Sequence, residues 1–196
     1  MNSDSETFSQ AKFTAMAEGT AEDWAAIARA HQSQRGEHID RIIKHFRLLD
    51  NDSGGYAVDR LEHSLQTATR AFQAGRDDEY VVCALLHDIG DVLAPAGHAE
   101  LGAAVLKPYV SEENHWMVEY HSVFQGYYFF HHFDLDRNMR EQYRGHPVFE
   151  QTVEFCHLFD QCSFDPNYRS MPLEAFVPVM RRVMETPKRL RHQAAE

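Results

Sequence analysis

The side chains best placed to do chemistry in this sequence are imidazoles and carboxylates. Thirteen histidines occur among 196 residues, and a subset of them stands in unusual surroundings. His87-Asp88 puts two adjacent ligand-type residues at the end of the apolar run Tyr80-Val81-Val82-Cys83-Ala84-Leu85-Leu86. Burying such a pair is costly unless something compensates it. A metal ion does so, because neutral imidazole and ionised carboxylate are good ligands for first-row metals and a carboxylate can bridge two ions. A hydrogen-bonded His–Asp pair, or a helix cap, meets the same cost without a metal. His63 occupies a polar position (Glu62-His63-Ser64) among apolar neighbours, and His98 follows the Pro95-Ala96-Gly97 turn. His121 sits among Val118, Tyr120, Val123 and Phe124, and Asp160 ends the apolar stretch Phe155-Cys156-His157-Leu158-Phe159. Each alone reads as an ordinary hydrogen-bonded core residue. Six such groups in the order His, His-Asp, His, His, Asp are hard to explain separately.

The elements that must position these groups read as helices. Ile39, Ile42, Ile43, Phe46 and Leu49 recur at spacings of three and four, as do Leu61, Leu65, Ala68 and Phe72, which is a helical period. The breaker run Asp50-Asn51-Asp52-Ser53-Gly54-Gly55 separates the two segments. Asp77-Asp78-Glu79 favours the start of a further helix by its charge, which is expected to run to Ile89 and stop at Gly90, apolar nearly all round and therefore central. Helices are also expected over His98–Tyr109, Glu112–Phe130, Pro147–Cys162 and Leu173–Met184, with Pro172 as the first residue of the last. No stretch alternates with a period of two, so the fold class is all-α. Residues 1–20 are polar and expected to form a flexible N-terminal segment, ahead of a single helical domain over 21–190.

Composition narrows the function classes. Hydrophobic residues make up 43% of the chain, enough for a core and too many for a disordered protein. No apolar run approaches the roughly 18–20 residues of a membrane span, and the polar start Met1-Asn2-Ser3-Asp4-Ser5-Glu6 lacks the pattern of a secretory signal. The formal charge is −11, without the basic stripe a nucleic-acid binder needs. Three cysteines, Cys83, Cys156 and Cys162, form no CxxC motif, which fits a reduced, cytoplasmic setting. The expected partner is a small-molecule substrate, with no nucleic acid and no membrane, for a monomer or homodimer.

His63, His87-Asp88 and Asp160 resemble the core metal site of the HD-domain superfamily, and His98 and His121 resemble the added ligands of its two-metal members. The resemblance covers roughly residues 39–184 and implies an HD-domain helical bundle around a dinuclear metal site. A closer resemblance is to the oxygenase branch, which contains myo-inositol oxygenase and the phosphonate-cleaving oxygenases. It is carried by His63-Ser64-Leu65-Gln66-Thr67-Ala68, by Leu85-Leu86-His87-Asp88-Ile89-Gly90, and by Tyr120-His121-Ser122 with Phe159-Asp160. That resemblance implies two iron ions, Fe(II)/Fe(III) in the active state, with O2 as co-substrate. His63, His87, Asp88 and Asp160 would hold one iron, and His98 and His121 the other, with Asp88 bridging. Asp88, His98 and His121 are thereby the expected catalytic groups. In that branch the substrate chelates iron through an alcohol and a neighbouring oxygen, and a C–C or C–P bond breaks in a four-electron oxidation without an external reductant.

The substrate must be read from residues that are not ligands. Asp91 stands where myo-inositol oxygenases carry a lysine and many phosphonate oxygenases a histidine, so an acid there is compatible with a cationic substrate group. It is equally compatible with a residue that orients a ligand histidine. Gln125 stands where some phosphonate oxygenases have a lysine, Arg169 is among the residues able to take a phosphonate along with Arg137, Arg140, Arg144, His131, His132 and His157, and Tyr56 is a candidate gate. The run Phe124, Tyr127, Tyr128, Phe129, Phe130 offers either a cage for a quaternary ammonium or core. The Gln-Gly-Gly-x-Met stretch of one phosphonate-oxygenase group is absent. The expected activity is oxygenative cleavage of the C–P bond of a 1-hydroxyalkylphosphonate, with amino or trimethylammonio substitution compatible, giving a carboxylate and phosphate. Oxidative cleavage of a polyol or another alpha-hydroxy substrate, and metal-dependent phosphohydrolysis, are the rival readings.

Overall fold

The computed structural model describes residues 10–33 and 37–189. Among these all regular structure is helical, with no strand. No described helix is long and apolar enough to cross a membrane. The chain forms two compact units, residues 1–41 and 42–196.

In the first unit α1 (Ala21–Ser33) opens on a capping box. Thr20 Oγ1 accepts from the Asp23 N–H at 3.2 Å, and Asp23 Oδ2 accepts from the Thr20 N–H at 3.0 Å. Residues 1–9, which carry part of the expected flexible segment, lie outside the described residues. From Lys12 onward the chain is tied to α1, through the Lys12 N–H on Asp23 and the Phe13 ring 5.2 Å from Trp24. The helix α2 runs over Glu37–Phe46.

The second unit holds α3 (Arg60–Gln73), α4 (Asp78–Leu86), α5 (His98–Leu106), α6 (Glu112–Gln125), α7 (Phe149–Phe155) and α8 (Leu173–Met184). The helix α4 lies against α3, α6 and α8, and every residue from Tyr80 to Leu86 is buried. Its all-round apolar sequence thus answers to a central position. Side-chain caps start three of these helices: Asp59 on the Glu62 N–H, Asp77 on the Tyr80 N–H and Ser111 on the Asn114 N–H.

Several expected boundaries differ: α5 ends at Leu106 rather than Tyr109, and α7 begins at Phe149 rather than Pro147. The helix α4 ends at Leu86, and residues 87–93 continue as turns. These turns bring Gly90 against the backbone of His98, where a Cβ would lie 2.5 Å from the His98 carbonyl oxygen. The helix α6 ends at Gln125, and the Phe130 ring folds back over Gly126 at a distance no Cβ would tolerate. Short 3-10 turns follow over Gly126–Tyr128, Phe130–Phe133 and Met139–Tyr143. The helix α7 gives way to a π-helical turn, Cys156–Asp160, which buries Phe159 and Asp160 and exposes His157 and Leu158. Pro172 is the N-cap of α8, in an extended conformation, and Leu173 is its first helical residue.

Candidate metal centre

The six ligand-type residues converge although they come from α3, the turn after α4, the start of α5, α6 and the π-turn. His63 Nε2 lies 3.2 Å from His87 Nε2, 3.2 Å from Asp160 Oδ1 and 3.4 Å from Asp88 Oδ2. His87 Nε2 lies 3.3 Å from Asp88 Oδ2 and 3.7 Å from Asp160 Oδ1. Donors bound about 2.1 Å from one ion sit about 3.0–3.4 Å apart in octahedral or tetrahedral geometry, and all of these separations but the 3.7 Å one fall in that range, so the set could hold a single cation. The other oxygen of the same carboxylate, Asp88 Oδ1, faces His121 Nε2 at 3.1 Å and His98 Nε2 at 3.4 Å. Asp88 therefore offers one oxygen to each of two donor sets.

Imidazole tautomers are settled by the backbone. The Nδ1–H of His87 donates to the Ala84 carbonyl at 2.9 Å, that of His121 to Val118 at 2.7 Å, and that of His98 to Pro95 at 3.2 Å. In each case the acceptor is the carbonyl three residues earlier. His63 Nδ1–H donates instead to the Ser163 carbonyl at 3.0 Å. A carbonyl only accepts, so each Nδ1 carries a proton, and in the neutral imidazole each Nε2 turns a lone pair to the centre. The loop bearing Ser163 is clamped by Gln66, whose amide donates to the Asp165 carbonyl at 2.8 Å and accepts from the Asp165 N–H at 3.2 Å. Phe164 stacks on the His63 ring at 4.3 Å.

The electrostatics call for positive charge. Burial disfavours the His63 cation, yet the Asp160 and Asp88 carboxylates outweigh it and push its pKa up to about 10. His87 is raised by the same two acids against its burial. Burial pushes Asp88 up, but His87, His121 and His63 hold it well below the usual carboxylate range, and His63 and His87 do the same for Asp160. Both acids are thus in their ligating form near neutrality. Asp160 Oδ2 is buried without a hydrogen-bond partner, an unsatisfied acceptor on the same carboxylate as the donor Oδ1.

A cavity of about 620 Å³ opens on this centre. Its wall includes His63, Asp88, His98, His121 and Asp160. His98 is the more open ligand, with its side chain 24% exposed against 3% for His121. Asp91 also lines the cavity, but its Oδ2 is ion-paired with Arg60 and its Oδ1 lies 3.5 Å from His98 Nδ1. Burial and the Asp88 charge push the Asp91 carboxyl up, against the pull of His98 and Arg60. Gln125 lines the wall and donates to Asp160 Oδ1 at 3.0 Å. Tyr56 lines it too, stacked on Phe164 at 4.8 Å. Arg169 is exposed and is not part of the lining.

The aromatic run divides. Phe124 is core, Tyr127 carries Arg137 and Arg140 over its ring, and Tyr128 and Phe129 face the cavity together with Phe133. Arg60 and Phe164 were not singled out by the sequence. Arg60 had a signal, since it lies three residues before His63 on one face of α3. Phe164 had none, because tertiary folding alone brings its loop to His63.

A stretch of the chain is 36% identical over 99 residues to the 1-hydroxy-2-(trimethylamino)ethylphosphonate dioxygenase (glycine-betaine-forming) of Leisingera caerulea. The match covers 44% of this chain and 50% of that protein, so it spans about half the relative's length. The family model for the HD domain matches residues 60–162, from the first residue of α3 to just beyond the π-turn. That range takes in every ligand-type residue of the centre, and the chain belongs to the HD domain family.

Proposed function

We propose that this chain is a mixed-valent di-iron oxygenase that cleaves the C–P bond of a 1-hydroxyalkylphosphonate. The observation that carries the reading is the division of Asp88, one oxygen to the His63–His87–Asp160 set and the other to His98 and His121. Its similarity to a phosphonate dioxygenase over 99 residues supports the choice of oxygen chemistry. Two irons held by these donors would supply O2 binding and redox chemistry at N/O sites with open positions. The overall conversion takes R–CH(OH)–PO3(2−) and O2 to R–CO2(−), HPO4(2−) and one H+. The four electrons lost by the substrate reduce O2, whose two oxygen atoms end in the products.

The protein's own residues bind, orient and shield. Four aspartates (Asp59, Asp88, Asp91, Asp160) and one arginine (Arg60) line the cavity, a formal charge of −3 with neutral imidazoles. An Fe(II)/Fe(III) pair would more than offset it, which favours an anionic, oxygen-rich substrate. The volume suits a small molecule. Tyr56, Tyr128, Phe129, Phe133 and Phe164 supply an aromatic wall that limits water and suits an amino or trimethylammonio end.

The test is metal analysis and O2 uptake on protein from iron-supplemented cells. Two irons per chain, a mixed-valent EPR signal that responds to substrate, and phosphate release coupled to O2 uptake are expected. O2 uptake with polyols and not with hydroxyphosphonates would move the reading to polyol cleavage. Manganese, nickel or zinc with phosphomonoester turnover and no O2 uptake would replace it with a phosphohydrolase.

A further inference from the structure

An anionic substrate needs a donor in the wall, and Arg60 is the one lysine or arginine among the lining residues. The arginines that the sequence offered for this task are engaged elsewhere. Arg137 and Arg140 lie over the Tyr127 ring at 4.2 and 3.8 Å, Arg144 pairs with Glu141, and Arg169 is not in the lining.

Arg60 is the first residue of α3, and its side chain is 25% exposed, so part of it is open to the cavity. Asp91 Oδ2 holds Nη1, and Asp52 Oδ2 lies 3.8 Å from Nε. Gly54 leaves the space for the guanidinium, since a Cβ there would lie 2.8 Å from Nη2. A planar fork fixed in this way loses little further freedom on binding. It carries five N–H donors, of which Asp91 Oδ2 engages one on Nη1. The other oxygen of Asp91 lies 3.5 Å from Nδ1 of His98, the exposed ligand. Arg60 therefore stands one carboxylate away from the open side of the centre.

The geometry points to Arg60 as the specificity-determining residue that receives an oxyanion of the substrate, with Asp91 as the residue that positions it. This rests on the proposed function only for the identity of the substrate. The oxyanion contact itself can be read without turnover.

Calorimetric titration of metal-loaded protein with methylphosphonate and with acetate tests it, on wild type, Arg60→Gln, Arg60→Lys and Asp91→Asn. Loss of a charge-assisted hydrogen bond corresponds to roughly 10–100-fold in binding. Arg60→Gln is expected to weaken the bound anion by that factor with metal content unchanged, Arg60→Lys to recover part of it, and Asp91→Asn to lose less than Arg60→Gln. Tighter methylphosphonate assigns the wall to a tetrahedral oxyanion, and tighter acetate to a carboxylate. In turnover, KM rises in Arg60→Gln while kcat stays within about threefold, as for a contact made equally in ground and transition states. Equal anion binding by wild type and Arg60→Gln overturns the inference, as does loss of metal in Arg60→Gln, which would make the arginine structural. O2 uptake on hydroxyphosphonates that is indifferent to Arg60 leaves the oxygenase reading and removes this one. Arg60-dependent anion binding without O2 uptake on any hydroxyphosphonate does the reverse.

Discussion

The two halves of the centre share Asp88 and differ in nearly everything else. The half built from His63, His87 and Asp160 is closed: all three are buried, and their donor atoms lie within 3.7 Å of one another. The half built from His98 and His121 has fewer donors and a partly exposed imidazole at the cavity wall. Closed sets of donors hold an ion, whereas open ones leave positions for a substrate or O2. Under the proposed function, the asymmetry gives retention to the first half and reaction to the second.

Four measurements break or sharpen that comparison. The largest effect is expected from Asp88→Ala, which removes a donor from both halves: elemental analysis should show loss of both metals, and turnover should fall to background. Retention of two metals would end the bridging role. Next, His63→Ala and His98→Ala should separate the halves. His98→Ala is expected to keep about one metal per chain and lose activity, whereas His63→Ala, taken from the closed set, should lose the tighter ion first in a chelator titration. Identical behaviour of the two variants would erase the distinction.

Gln66→Ala leaves every ligand in place and frees the loop that fixes the His63 tautomer. Loss of such an orienting contact costs about 10–100-fold in metal affinity, and here the loss should fall on the closed half alone. The smallest effect is a control remote from both halves. Glu79 receives the Ser111 N–H, the Asn114 amide and Lys188. Burial pushes its carboxyl up, but these partners outweigh it and bring the pKa down from 4.5 to about 2. A folded-state pKa below the unfolded one gives stability that is full above about pH 4.5 and lost as pH falls toward 2. Glu79→Gln should flatten acid denaturation in that window, followed by circular dichroism, with or without metal.

Much of this was readable beforehand, residue by residue. The apolar period found α3, and the all-round apolar run Tyr80–Leu86 found the central helix. The six ligand types stood out because each was a polar group in apolar surroundings. What the residues could not reveal lay in departures from regular helix. The π-turn at Cys156–Asp160 looks like plain α-helix in its pattern, yet it selects Asp160 for the interior and His157 for the surface. The Asp91–Arg60 pair joins positions 31 residues apart, and no local periodicity reports such a pairing.

Local sequence alone determined the helical class, the caps on Asp59, Asp77 and Ser111, and the tautomers of His87, His98 and His121. Each of those imidazoles bonds a carbonyl three residues earlier, so its proton is placed by its own turn of chain. Tertiary structure decided the rest. His63 takes its orienting carbonyl from Ser163, 100 residues away. The approach of α5 to the His-Asp turn depends on Gly102, where a Cβ would meet the His87 carbonyl oxygen at 2.5 Å. The physical reason is range: a turn's hydrogen bonds are set by neighbours in sequence, while the spacing of ligand-type groups drawn from separate elements is set by how closely those elements can pack.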